Sequence, residues 1–274
     1  MKISPNAVQA GGLSEEEYHA VLDRIESVYA PIVAAKGGRL DMRRLWSNAS
    51  VNASAQRIGN TFVVNMFGGM ARFPSMTADA FSMIACHELG HHLGGAPKGN
   101  GRGWASNEGQ SDYFANLKCH RRLFGGGGGG KTSPVLAEAC SQSFGSRRAQ
   151  ATCGRSAMAA VAIGKVAAEM SRSNPPGFGT PDPKVVSRIS DRHPAPQCRF
   201  DTQMAAALCS KPFTEGFDDR DPVPGACTRD AGFRVGVRPL CWYKPPPSRR
   251  PSLNLADTIT LPDGNLLIEA LRAS

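Results

Sequence analysis

The amino-acid sequence predicts an α+β fold that is mostly helical, with a small mixed sheet and an irregular C-terminal region. A capping-box motif at Ser14–Glu17 opens a long apolar stripe with helical spacing. Three β-like runs follow, directly before a second helical pattern. Composition then changes near Asn174, because fifteen of the twenty prolines and four of the eight cysteines lie after it. Such a composition favours an irregular, cross-linked region over a second independent core.

The first helix begins after Ser14 and buries one apolar face. The residues of that face recur every three or four positions: Tyr18, Val21, Leu22, Ile25, Val28, Tyr29 and Ile32. Gly37-Gly38 is expected to end the helix. Core packing explains this stripe without a functional role.

The strands are expected at 39–46, 50–57 and 60–67, with Gly59-Asn60 as a hairpin turn. Gly68-Gly69 follows, and is expected either to form a turn or to allow a substrate to approach the backbone closely.

The next helix carries the most informative motif of the chain, His87-Glu88-Leu89-Gly90-His91. Thr77 is a suitable N-cap, and Gly94-Gly95 supplies a stop. Residues four apart lie on one helix face, so both imidazoles can reach a single metal ion. Glu88 lies beside that face, where it can contact a water molecule on the metal.

A third ligand is expected at Glu108, at the start of a further helix, with Asp112 one turn later. Glu108 completes a His, His, Glu set that suits zinc and leaves one position for water. Asp112 is expected to accept a hydrogen bond from the far nitrogen of His87 and to fix its tautomer. The alternative is an ordinary acidic first turn capped by Asn107 or Ser106.

The combination of H-E-x-x-H with E-x-x-x-D resembles the gluzincin metallopeptidases. The segment from His193-Pro194 to Arg199 is similar to the H-P-x-x-x-x-R segment of the CaaX-prenyl-protease/HtpX/Oma-type family. Three short motifs between about residues 60 and 200 carry this resemblance. It implies a zincin-like catalytic core, in which a small mixed sheet supports an active-site helix and a second ligand helix.

The resemblance also implies roles for individual residues. Zinc is expected on His87, His91 and Glu108, with Glu88 as the general base. His193 and Arg199 are expected at the active site, where one or the other is the candidate donor to the oxyanion. The alternatives for this last pair are a loop histidine before a proline and a structural ion pair.

Further expectations concern the cleft. Tyr113 is a weaker candidate for the oxyanion donor, and His92 and His120 are interpreted as surface or supporting residues. The strand Thr61–Phe67 is expected at the sheet edge, where it would pair with an extended substrate.

The function predicted from these residues is that of a zinc-dependent endopeptidase. Alternatives are a metal-retaining binding or chaperone-like module and a zinc hydrolase that acts on cell-wall amides. The expected partner is a protein or peptide substrate, unfolded or associated with the cell envelope. The net charge of +9 comes without a nucleic-acid recognition motif, so nucleic acid is not an expected partner. No apolar run approaches the length of a transmembrane span.

The eight cysteines predict disulfides and therefore a secreted or periplasmic location. No signal peptide is visible in Met1–Gly12, so the sequence is expected to be a mature form with an added initiator Met. Cys198–Cys209 and Cys227–Cys241 are plausible short-range pairs. Cys86 is expected to be packed or disulfide-linked, with a fourth zinc ligand as the alternative.

Two regions are expected, a metallopeptidase core at 1–174 and a Cys/Pro-rich region at 175–274. The second is expected to complete the site through His193 and Arg199 and to act as a lid, a partner site or a stabilising cover. A helix is predicted over 147–171, a mobile glycine loop at 125–130, and a hairpin from the runs 253–261 and 266–271.

Overall fold

The computed structural model describes residues 1–5, 11–99, 103–125 and 132–247. It is an α+β fold in which a three-stranded mixed sheet packs against part of a larger set of helices. The elements in chain order are α1 (Glu15–Ala35), β1 (Arg39–Leu45), β2 (Ala53–Ile58), β3 (Thr61–Phe67), α2 (Gly68–Ala71), α3 (Ala78–Leu93), α4 (Glu108–Phe114), a π-helical segment (Ala115–His120), α5 (Arg121–Phe124), α6 (Pro134–Ser143), α7 (Arg147–Ser171) and α8 (Pro196–Leu208).

Helix α1 confirms the capping box and the apolar stripe. The Ser14 side chain accepts from the Glu17 amide, and the Glu17 side chain accepts from the Ser14 amide. Tyr18 is fully buried, and its hydroxyl donates to the carbonyl oxygen of Met66 over 2.7 Å. This bond ties α1 to the sheet without leaving a buried polar group unpaired.

The sheet has the order β1-β3-β2, with β1 parallel and β2 antiparallel to β3. Gly59, at a φ of 55°, turns β2 into β3 as expected. The expectation that Thr61–Phe67 forms an edge is wrong, because β3 is the central strand and β2 is an edge. The five inner residues of β3 are all buried, which indicates that both faces of the sheet are covered along this central strand.

Gly68 and Gly69 belong to the short helix α2. The backbone that lies close to them is that of the chain itself and not that of a substrate. A Cβ atom at Gly68 would overlap the carbonyl of Trp46, and one at Gly69 would overlap that of Ala49. The glycines therefore serve close packing at the end of β3.

Helices α3 and α7 match their predicted positions. Thr77 caps α3 by accepting from the Ala80 amide, and Gly94 ends it. Helix α7 spans Arg147–Ser171, as the sequence predicts.

The region after residue 174 is less irregular than expected, because it contains helix α8. Pro196 lies in the first turn of α8, where its missing N–H costs no hydrogen bond. Residues 175–195 and 209–247 have little regular structure, as predicted. Helix α8 packs against α4 and α7.

Four disulfides are present, and both predicted short-range pairs are wrong. The bonds are Cys86–Cys119, Cys140–Cys153, Cys198–Cys241 and Cys209–Cys227. Pairing follows which chain segments are neighbours in space, and sequence spacing does not reveal that. Cys86 is disulfide-linked, as expected, and is not a free thiolate that could bind metal.

The glycine run after Gly125 and the expected hairpin within 253–271 lie outside the described residues. Across the described segments, no helix combines the length and the apolar character that a bilayer crossing needs.

We expect the Cys198→Ser/Cys241→Ser double variant to lose about 2–5 kcal/mol of the free energy of unfolding, because the bond closes a loop of 43 residues. Denaturant unfolding measures the loss. Mass spectrometry of a non-reducing digest should show the wild-type Cys198–Cys241 and Cys209–Cys227 peptides. A Cys198–Cys209 peptide would contradict the structure.

Candidate metal centre

The candidate site forms where α3 crosses α4 at short range. Gly90 makes this crossing possible, because a Cβ atom there would lie 2.9 Å from both Cα and the carbonyl oxygen of Ser111. Glycine within a helix costs about 1 kcal/mol relative to alanine. At this crossing, the face of α3 that carries His87 and His91 meets Glu108 in the first turn of α4.

The three predicted ligands converge. Nε2 of His87 lies 3.2 Å from Oε2 of Glu108, and Nε2 of His91 lies 3.8 Å from Oε1. One ligand atom of each residue lies within 4.8 Å of the other two. Ligand atoms around a tetrahedral zinc ion are about 3.3 Å apart, given metal–ligand distances of about 2.0–2.1 Å. The spacing therefore fits such an ion.

The ring nitrogens that face away from the site fix both histidine tautomers. Nδ1 of His87 lies 2.9 Å from Oδ1 of Asp112, and Nδ1 of His91 lies 2.8 Å from the carbonyl oxygen of Ser106. A carboxylate and a carbonyl can only accept, so both Nδ1 atoms donate. Both Nε2 atoms then face Glu108, and each can offer its lone pair to a metal ion once it carries no proton.

The electrostatics of the site also suit a cation. Burial lowers the pKa of His87, but the charge of Asp112 and its hydrogen bond outweigh burial and raise that pKa to about 10. Burial and the charge on His87 lower the pKa of His91 to about 4. Burial raises the pKa of Glu108, but its close contact with the His87 ring and the nearby histidine charges bring it down to about 2. A bound cation would take the place of the proton on His87.

Asp112 is fully buried and anchors His87. It accepts two hydrogen bonds from Arg199, each 2.8 Å long, which start at Nε and Nη2. Nη2 also lies 3.3 Å from Nδ1 of His87, but both nitrogens are donors, so this contact is not a hydrogen bond. Burial raises the pKa of Asp112, but the charges of Arg199 and His87 overcome this and hold it well below its usual range.

Residues far along the chain hold the first turn of α4. The indole of Trp242 packs against Gly109, where a Cβ atom would overlap the ring. Asn107 donates to the carbonyl oxygen of Ser190 over 3.1 Å, and Arg238 donates to Gln110 over 2.7 Å. The position of Glu108 between Asn107 and Gly109 therefore depends on the C-terminal region.

Glu88 lines a cavity of about 420 Å³ together with His87. Its side chain makes no hydrogen bond to the described residues, although Glu88 is only 8% exposed. Burial raises the pKa of its carboxyl group. A buried carboxylate without a protein partner is costly unless something in the cavity binds it. Glu88 is thus available to a ligand or a water molecule.

His193 and Arg199 both reach the site. Nε2 of His193 lies 3.3 Å from Oε2 of Glu108, and the His193 side chain is 73% exposed. Oε2 itself is buried and accepts no well-formed hydrogen bond. Arg199 lines the cavity, but two of its nitrogens are bound by Asp112. The expected donation from Arg199 to the oxyanion stays a prediction.

Tyr113 is excluded as an oxyanion donor, and of the two interpretations of His92 and His120 only the surface position is wrong. Tyr113 is fully buried, and its hydroxyl donates to the carbonyl oxygen of Gly236 over 2.6 Å, so it is not available as an oxyanion donor. His92 and His120 are buried rather than at the surface, with burial lowering the pKa of each ring to about 4. Both ring nitrogens of His92 and Nδ1 of His120 have local hydrogen-bond partners, which sequence patterns do not reveal.

Several residues that support the site were not predicted from the sequence. Among these are Ser111, whose hydroxyl lies 3.1 Å from Nδ1 of His91, and Gln203, which donates to Asp112 over 3.4 Å. Only Gly90 carried a signal, because a glycine inside an apolar helix often marks a close approach.

A second group of potential ligands, Asp182 with Cys198 and Cys241, is not a comparable site. Its two sulfur atoms form a disulfide and cannot act as thiolates.

Comparison with protein-family models, with curated proteins and with solved structures finds no match to this chain.

Proposed function

We propose that the protein is a zinc-dependent endopeptidase with a zincin-like core. The observation that carries the proposal is the arrangement of His87, His91 and Glu108. Their ligand atoms have the spacing of a tetrahedral zinc site, and both histidines have tautomers fixed for ligation. Glu88, unpaired in the adjoining cavity, adds the acid–base group that hydrolysis needs.

Zinc bound at this position would supply Lewis acidity towards a water molecule and the scissile carbonyl. Glu88 accepts a proton from the attacking water as the new C–O bond forms. It then returns that proton to the departing amine as the C–N bond breaks. Burial raises the pKa of Glu88 towards the range in which a carboxylate can both accept this proton and return it.

Two residues of the C-terminal region have different proposed roles. The exposed imidazole of His193 lies at the mouth of the site and donates to the oxyanion that develops on the carbonyl. Arg199 is a positioning residue, because its guanidinium holds Asp112, which in turn orients His87.

The substrate is proposed to be an extended or unfolded polypeptide. The cavity that contains Glu88 is also lined by Ala53, the first residue of edge strand β2, and by the two residues before it, 51 and 52. An edge strand offers backbone groups that pair with any extended peptide and require no particular side chain. Four disulfides are typical of oxidising compartments, so we place this activity in the secreted or periplasmic space.

We expect Glu88→Gln to lower kcat for casein or a quenched peptide by at least about 100-fold, because it removes the general base. Zinc content should remain at the wild-type level, since Glu88 is not among the three ligands. The matched control is Glu16→Gln on the exposed face of α1. Full activity of Glu88→Gln would refute the assigned role.

The same proteins can be tested on purified peptidoglycan. Release of peptides from peptidoglycan, with no cleavage of casein, would replace the peptidase proposal by a cell-wall amidase. An intact casein substrate at full zinc occupancy, with peptidoglycan also intact, would favour a binding module.

Zinc should raise the melting temperature of the metal-free protein, because a ligand that binds only the folded state stabilises it. The gain is about 2.7 kcal/mol at a zinc concentration of 100 times Kd. His91→Ala removes one ligand and should abolish most of this gain. Differential scanning calorimetry with and without zinc measures both values. An equal rise in the melting temperature of His91→Ala would mean that zinc binds at a different site.

Asp112→Asn should weaken zinc binding by about 10–100-fold, because it removes the carboxylate that orients His87. Competition with a chelating dye measures the zinc affinity. Asp79→Asn is the matched control, since Asp79 also holds an arginine, Arg155, through two hydrogen bonds. That variant should lose stability but keep its zinc affinity. Equal zinc affinities in the two variants would contradict the role of Asp112.

A further inference from the structure

The lining of the cavity beside Glu88 contains polar groups and a set of apolar side chains, which we call its polar end and its apolar end. The polar end contains the candidate catalytic groups and their supports. The apolar end is formed by side chains from three helices: Met83 and Ile84 of α3, Ile163, Val166, Ala167 and Met170 of α7, and Phe200 of α8. No charged side chain belongs to this apolar part of the described lining.

The shape and chemistry of the cavity limit what can occupy it. Its volume of about 420 Å³ is near the lower end of the range for ligand pockets, about 300–1,000 Å³. A charged group would lose its hydration at the apolar end without gaining a partner. A large apolar side chain, by contrast, would gain about 25 cal/mol for each Å² that leaves water.

We propose that the apolar end binds a large aliphatic or aromatic side chain of the substrate, next to the peptide bond that is cleaved. This inference rests on the proposed peptidase function and names the substrate class of that site. The same cavity contains Glu88 and the start of edge strand β2. A peptide paired along β2 can therefore direct one side chain into the apolar end while its backbone reaches Glu88.

Ala167 and Ile84 line this pocket from two different helices, α7 and α3. Both are only partly buried and line the cavity. Gly164 cannot serve in this way, because a Cβ atom there would lie 2.9 Å from Pro176 and 3.2 Å from Phe200. A larger side chain at position 167 would instead extend into the open cavity.

The test is equilibrium binding, so that it does not depend on catalysis. Two short dye-labelled peptides are compared by fluorescence anisotropy, one of alanine throughout and one with a single central leucine. The zinc-loaded Glu88→Gln protein is expected to bind the leucine peptide at least about tenfold more tightly. Ala167→Leu combined with Glu88→Gln should bring the ratio of the dissociation constants of the two peptides close to one.

Two further variants control this measurement. Ala151→Leu lies on the same helix but outside the cavity lining, and it should keep the leucine preference. Ile84→Ala should enlarge the pocket and improve binding of a phenylalanine peptide relative to the leucine peptide. This second change tests the pocket independently if Ala167→Leu proves unstable.

The outcomes separate this inference from the proposed function. A leucine preference that depends on Ala167, in a protein that cleaves nothing, supports the pocket and refutes the peptidase. Cleavage with no preference between the two peptides, or with a preference that Ala167→Leu leaves intact, overturns the pocket alone. Equal binding of the peptides together with tight binding of a long-chain alcohol would assign the cavity to a lipid and overturn the inference.

Discussion

The buried carboxylate of Asp112 is the group on which the rest of the site depends. It is fully excluded from solvent and accepts hydrogen bonds from Arg199 and His87. A charge without water is tolerated only when it is paired and hydrogen-bonded, so these partners must stay in place. They belong to α8 and α3, while Asp112 belongs to α4. One carboxylate thus fixes three helices relative to each other and orients a candidate metal ligand.

This arrangement makes the C-terminal region part of the site. Cys241 joins α8 to the segment in which Trp242 packs against Gly109, so one disulfide connects the supports of Asp112 and of Glu108. Behind Asp112, the buried polar network continues through Gln203 to Asn116, whose amide nitrogen donates to the carbonyl oxygens of Gln203 and Ser156. Asn116 lies in the π-helical segment, a feature that often marks functional regions. Such networks rigidify the packing when every member is paired, and here the side-chain oxygens of Asn116 and Gln203 are buried without a hydrogen-bond partner among the described residues.

In the proposed peptidase, substrate recognition and chemistry use different parts of the cavity lining. Its polar end contains Glu88 and His87, whose neighbours have charges that keep the ligands ready for a cation. Its apolar end belongs mainly to α7, a helix that contributes none of the three candidate ligands. If the proposed function holds, substitutions in α7 are expected to change which substrate side chain is bound while the candidate metal site keeps its geometry.

Sequence alone determined the features that depend on local hydrogen bonds and periodicity. The capping box at Ser14–Glu17, the bounds of α3 and α7, and the approach of His87 to His91 all follow from the geometry of a single helix. Pairing of Glu108 and Asp112 with those histidines also agrees with the prediction, because the motif spacing limited the choice. Only the tertiary structure decided the central place of β3, the disulfide partners and the bond of Arg199 to Asp112. Each of these joins segments distant in sequence, and which segments meet depends on the packing of the whole core.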